Sequence, residues 1–69
     1  MPRSLFPDRA RLVLGVMTPG TTYTTSEVAT ATGLRAGRTR EVLERLTHEG
    51  GVKRIEPVWR GLAVNWQRR

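Results

Sequence analysis

Arginine dominates the chemistry available to this sequence. Eleven of its twelve basic residues are Arg, and three of them, Arg35, Arg38 and Arg40, fall within six positions. A guanidinium is a rigid fork of donors that fits phosphate oxygens and the O6/N7 edge of guanine. Such a cluster is equipped to grip a polyanion. It has no means of making or breaking bonds. A second basic group, Lys53, Arg54 and Arg60, lies about fifteen residues further on. A GC-rich coding sequence also favours arginine, so the distribution of charge carries more weight than its identity. Residues 1–34 hold three bases and two acids, whereas residues 35–69 hold nine bases and four acids, out of a net charge of +6. The second half is where a polyanion is expected to bind.

Other chemistries find little support. With no cysteine there is neither a thiolate nucleophile nor a Cys-ligated zinc. The single histidine, His48, stands four residues after Glu44, but two ligands without a third make no metal site. No nucleophile–base pair, glycine-rich phosphate loop or paired carboxylates are visible, so neither an enzyme nor a cofactor is expected. Apolar runs reach only three or four residues, far short of the ~20 that span a membrane. No signal-peptide core precedes them, and a cytoplasmic protein is expected. Sixty-nine residues, 38% hydrophobic and 26% charged, suit one small globular domain. Residues 1–7 are expected to form an N-terminal arm and residues 67–69 a mobile basic tail.

The elements that must position these bases follow from periodicity. Pro7-Asp8 starts a helix, or Ser4 caps one a turn earlier, and Phe6, Ala10, Val13 and Met17 share one of its faces. Leu12 and Leu14 flank that stripe. Pro19-Gly20 stops the helix, and Thr21–Thr24 suits a brief strand. Thr24-Thr25-Ser26-Glu27 has the spacing of a capping box opening a short second helix. Val28, Ala31 and Thr32 supply its apolar edge, Gly33 a left-handed stop, and Leu34 a return to the core. A third helix runs from Ala36 to His48 with Thr39, Val42, Leu43 and Leu46 as its buried stripe. Gly50-Gly51 ends it. Residues 52–55 and 62–66 then read as two strands joined by a hairpin loop, with Leu62, Val64 and Trp66 on one buried face. The fold class is α+β, in the order helix, short strand, helix, helix, hairpin.

The segment Glu27-Val28-Ala29-Thr30-Ala31-Thr32-Gly33-Leu34, followed by Val42-Leu43-Glu44-Arg45-Leu46, Glu49-Gly50 and Val52-Lys53-Arg54, resembles the winged helix-turn-helix family. The likeness is to bacterial regulators of the multiple-antibiotic-resistance and arsenic-repressor types, and it covers about two thirds of the chain. The sequence departs from that pattern in having Arg35 where a Ser or Thr cap is usual, Thr39 where an aliphatic is usual, and Gly51 where Leu is common. The resemblance implies that the third helix enters the major groove of double-stranded DNA by its N-terminal half while the hairpin wing reaches the backbone or minor groove. On that expectation Arg35, Arg38 and Arg40 read or grip DNA from one solvent face, and Gly37 lets the backbone approach. Lys53, Arg54 and Arg60 neutralise phosphates from the wing, and Thr25 and Ser26 offer donors at the second helix's N-terminus. The expected function is sequence-selective DNA binding, as a small transcriptional regulator or a mobile-element control factor.

The same residues also allow a winged-helix protein-interaction module, in which Trp59, Val58 and an exposed Leu14 would meet a protein partner. A weak homodimer through the first helix is a further expectation, with Leu12 or Leu14 exposed for packing. RNA is the weaker expectation, because no pair of exposed aromatics is set to stack bases. The indole of Trp66 should lie in the core, and that of Trp59 should either fold back or stand at the wing tip.

Overall fold

The computed structural model describes residues 6–56 and 64–69. Helix α1 (Phe6–Val16) presents Ala10 and Val13 to the core. Met17, just beyond it, is 1% exposed. Phe6 and Pro7 lie inside this helix and not in the N-terminal arm expected over 1–7, whose other residues lie outside the described ones. Leu14 packs against the core cluster, whereas Leu12 is 42% exposed. Strand β1 (Thr22–Thr24) leads directly into helix α2 (Thr25–Thr32) through the expected capping box. Glu27 N–H donates to Thr24 Oγ1 at 3.0 Å, and Thr24 N–H donates to Glu27 Oε1 at 2.9 Å. Two of the helix's orphan amide groups are thereby satisfied.

The buried residues of α2 are Val28 and Ala29, and Ala31 is exposed, which corrects the expected apolar edge. Thr25 and Thr32 complete that face at the three- and four-residue spacings of a helix. Thr32 can do so because its hydroxyl donates back to the Val28 carbonyl at 2.8 Å, hiding its polarity. Gly33 closes α2 at φ 76°, and its N–H donates to the Ala29 carbonyl at 2.9 Å. That left-handed turn is where glycine is favoured.

Helix α3 (Ala36–His48) begins and ends where the periodicity places it, with Thr39, Val42, Leu43 and Leu46 buried. Arg35 occupies its N-cap position without a side-chain cap bond. Thr39 Oγ1 and Thr39 N–H both donate to the Arg35 carbonyl, at 2.9 and 2.8 Å. A threonine at 0% exposure is thus as comfortable as an aliphatic would be.

Strands β2 (Val52–Ile55) and β3 (Asn65–Arg68) complete a three-stranded antiparallel sheet in the order β1-β3-β2. Trp66 pairs with Tyr23 on one side and with Arg54 on the other. Val52, Trp66 and Met17 lie in one core with the three helices. Strand β3 runs two residues past the expected end at Trp66, and Val64 lies just before it. Gln67 and Arg68 belong to it, so they are no mobile tail, and Arg69 N–H donates to the Gly51 carbonyl at 3.2 Å. Leu62, Val58, Trp59 and Arg60 lie outside the described residues. No helix among the described residues is long and apolar enough to cross a membrane.

Candidate nucleic-acid interface

The interface is best built outward from the strand that fixes it. Trp66 is 1% exposed, and its indole Nε1–H donates to Thr25 Oγ1 at 2.8 Å. A buried indole needs an acceptor, and this one is supplied by the first residue of α2. Thr25 therefore serves the packing of Trp66 with its hydroxyl oxygen, and the O–H of the same group stays a donor. Ser26, its neighbour, is exposed. Two residues along β3, Arg68 Nη1 donates to the carbonyls of Leu14 and Met17 at 3.1 and 3.4 Å. Helix α1 has no basic residue in its own last turn, so a strand far away in sequence supplies the cation that its C-terminal carbonyls favour. Central strand β3 thus ties the start of α2 and the end of α1 to the sheet.

At the other end of the bundle, Arg45 stacks its guanidinium over the Phe6 ring, 3.8 Å from the centroid. Its Nε also lies 3.7 Å from Glu49 Oε1. The contact joins α1 to α3. Tyr23 accepts a hydrogen bond from Thr18 N–H at 2.8 Å, and the donors at Thr18 lower its phenol pKa below the usual 10.0. These contacts hold α3 between α1, α2 and β2 by its buried stripe and leave the rest of its circumference exposed.

On that exposed side the predicted bases are present but not gathered. Arg38 and Arg40 are two residues apart, about 200° around a helix, so they occupy opposite shoulders of α3. This corrects the single arginine face expected from the sequence. Each is held by its own carboxylate. Arg38 Nη1 donates to Glu41 Oε2 at 2.9 Å, and Arg40 Nε donates to Glu44 Oε1 at 3.3 Å. Arg35 is exposed and makes no ion pair with a described residue. Gly37 is exposed, and a Cβ built on it would meet nothing within 4 Å.

The strand bases separate for a similar reason. Successive side chains of a strand point to opposite faces. Arg54 shares a face with its partner Trp66, the side the helices cover, while Lys53 shares the other with Gln67 and Thr22. Arg54 Nε pairs with Glu56 Oε1 at 2.8 Å, and Lys53 has no ion-pair partner among the described residues. Arg60 cannot be placed, since it lies outside the described residues. Exposed pairs of this kind contribute roughly 0–1 kcal/mol each, so the arginines are readily released to a phosphate.

Sequence reasoning put Arg68 in a mobile tail and gave Glu41 no part in the interface. Arg68 sits on the parity of Val64 and Trp66, so alternation could have placed it on the core face. Glu41 could have been found by projecting α3 at 100° per residue in place of counting arginines along the chain. Among the described residues no group of three or more His, Asp or Glu side chains is set to hold a metal ion.

No curated protein matches the chain significantly. The sequence profile of the FaeA-like protein family matches residues 11–69, which spans α1 from its second turn through α2, α3 and all three strands. On that match, the chain belongs to the FaeA-like protein family.

Proposed function

We propose that this protein is a sequence-selective double-stranded DNA-binding protein of the winged helix-turn-helix type, acting as a small transcriptional regulator or mobile-element control factor in the cytoplasm. Helices α2 and α3 with the Gly33-Leu34 turn form the helix-turn-helix, and β2 with β3 forms the base of the wing. The observation that carries this function is α3 itself. It is a thirteen-residue helix anchored by one buried stripe, with an uncovered outer side bearing Arg38 and Arg40 on its shoulders and Arg35 at its start. Such a helix fits a major groove, where cations on its shoulders reach base edges or the flanking phosphates. Charge supports it, since nine of the twelve bases follow residue 34.

A salt titration against random duplex and against a pool of genomic fragments tests this. With on the order of 4–6 phosphate contacts, affinity falls roughly 10²–10³-fold between 50 and 200 mM salt, and a few fragments stay bound above the rest. Arg38→Ala should weaken those fragments more than random duplex, while Lys53→Ala weakens both alike. Binding that disappears evenly from every fragment by physiological salt would refute a sequence reader. The competing function, a protein-interaction module, is favoured by one observation. Leu12 is an exposed large hydrophobic residue on α1. A partner retained by the wild type and lost in Leu12→Glu, with no duplex binding at low salt, would establish it.

A further inference from the structure

With Thr39 near the centre of the buried side, a rotation of about 100° per residue places Gly37, Glu41, Glu44 and His48 along the outermost line of α3. Arg38 and Arg45 fall on one shoulder and Arg40 on the other. The side chain that projects furthest from the first two turns is therefore a glutamate. One turn earlier, Gly37 leaves the helix surface bare, and nothing inside the protein requires glycine there, because a Cβ would meet open space. Glycine weakens a helix relative to alanine, so its presence on this line fits a surface that something else must approach closely. The carboxylate behind it is joined to Arg38, whose Nη1 lies 2.9 Å from Glu41 Oε2, and both side chains are well exposed, at 49% and 68%.

A carboxylate on the leading line of a groove-entering helix is repelled by phosphates and has no donor to offer a guanine. In the major groove it can accept from an exposed base amino group, for which cytosine N4 is the fitting partner, while the adjacent arginine fork fits guanine O6 and N7. We infer that the Arg38–Glu41 pair is the specificity element of α3. Glu41 accepts from the N4 amino group of a cytosine, and Arg38 takes the O6/N7 edge of a neighbouring guanine. Glu41 then acts twice. It favours sequences that place a cytosine opposite it, and it penalises all others, because its charge stays unpartnered beside the DNA. This inference rests on the proposed DNA-reading function.

The test is selection from a random-sequence duplex pool with the full chain in three forms: wild type, Glu41→Gln and Glu49→Gln. Glu49 lies eight residues further along, about 12 Å at 1.5 Å per residue, and removes the same charge away from the reading turns. Wild type should enrich a motif with a near-invariant C·G pair. Glu41→Gln should relax that pair by about fivefold or more, keep the preferences at other positions, and bind random duplex more tightly. Glu49→Gln should bind random duplex more tightly with its motif unchanged. Thermal melting of each variant should match wild type, since both carboxylates are exposed. If Glu41→Gln enriches the wild-type motif with equal preference at every position, Glu41 does not read DNA and the inference fails while the DNA-binding function stands. A Glu41-dependent position occupied by adenine overturns the assignment to cytosine. If wild type enriches no motif and holds no duplex at low salt, both the inference and the proposed function fall.

Discussion

Replacing Thr25 by valine exchanges one hydroxyl for a methyl of nearly the same volume and leaves the backbone preferences of the position almost unchanged. Its consequence falls on another element. The indole Nε1–H of Trp66, on a residue 1% exposed, loses the oxygen that accepts from it at 2.8 Å. A buried donor stranded in this way costs about 1–3 kcal/mol. A 69-residue domain has on the order of 3–10 kcal/mol of stability in total, so the loss is a large fraction. Each kcal/mol lowers the melting temperature of a domain this size by roughly 4–8 °C. Thr25→Val should therefore melt at least about 4 °C below wild type. Thr25→Ser, which keeps the oxygen, should fall well short of that loss. Far-ultraviolet circular dichroism during heating and urea unfolding measures both. The double variant Thr25→Val with Trp66→Phe completes a cycle, since removing the donor relieves the penalty of removing the acceptor. If Thr25→Val melts with wild type, or if the two losses add without coupling, the bond does not secure β3 to α2.

Three further outcomes follow from other contacts. Arg68→Met keeps an unbranched side chain on the core face but removes the donor to the Leu14 and Met17 carbonyls; a loss of about 1–2 kcal/mol is expected, with amide exchange rising at the end of α1. Gly37→Ala should raise stability by about 0.5–1 kcal/mol, because its Cβ enters open space, yet weaken binding to selected duplex; a variant that gained both stability and affinity would show that nothing approaches this line closely. Tyr23 is the single tyrosine, so an ultraviolet phenolate titration reads it alone. Its folded pKa lies below the usual 10.0 because Thr18 donates to its oxygen, so the associated stability is fully present above pH 10.0 and is lost as pH falls through the folded pKa. Tyr23→Phe should remove that alkaline component, and a tyrosine titrating at or above 10.0 would contradict the bond.

Much of the arrangement was legible because local chemistry and burial agree. The stripe Thr39, Val42, Leu43 and Leu46 repeats at helical spacing and is buried as a unit. The capping box and Gly33 mark α2 by groups that have few other reasons to occur together. The failures share a cause, which is polar side chains that behave as structural ones. Threonines at both ends of α2 hide their hydroxyls in hydrogen bonds, so a search for aliphatic residues settled on Ala31 and missed Ala29. Strand β3 seemed to end at Trp66 because the next residue on its core face is arginine, a side chain whose charge is absorbed by the carbonyls of α1. The arginines of α3 are close in sequence, and closeness in sequence is not closeness in space on a helix. Alternation and helical rotation separate Arg38 from Arg40 and Lys53 from Arg54.

That separation bears on how a polyanion would be held. Three of the expected contact residues, Arg38, Arg40 and Arg54, already sit against Glu41, Glu44 and Glu56. Each pair is exposed and contributes roughly 0–1 kcal/mol, so surrendering it to a phosphate costs little. The carboxylate left behind still repels DNA unless a base amino group or solvent takes the place of the arginine. Arg35, at the entry to α3, and Lys53, on the face of the sheet turned from the helices, have no ion-pair partner among the described residues. On the proposed function, association would be led by a few cations spread around α3 and the sheet, while the paired arginines would commit only where the partner offers something to both charges. If the protein reads DNA as proposed, a surface built this way should bind random duplex more weakly than its basic residue count suggests and reserve its tighter grip for sequences that satisfy the glutamates as well as the arginines.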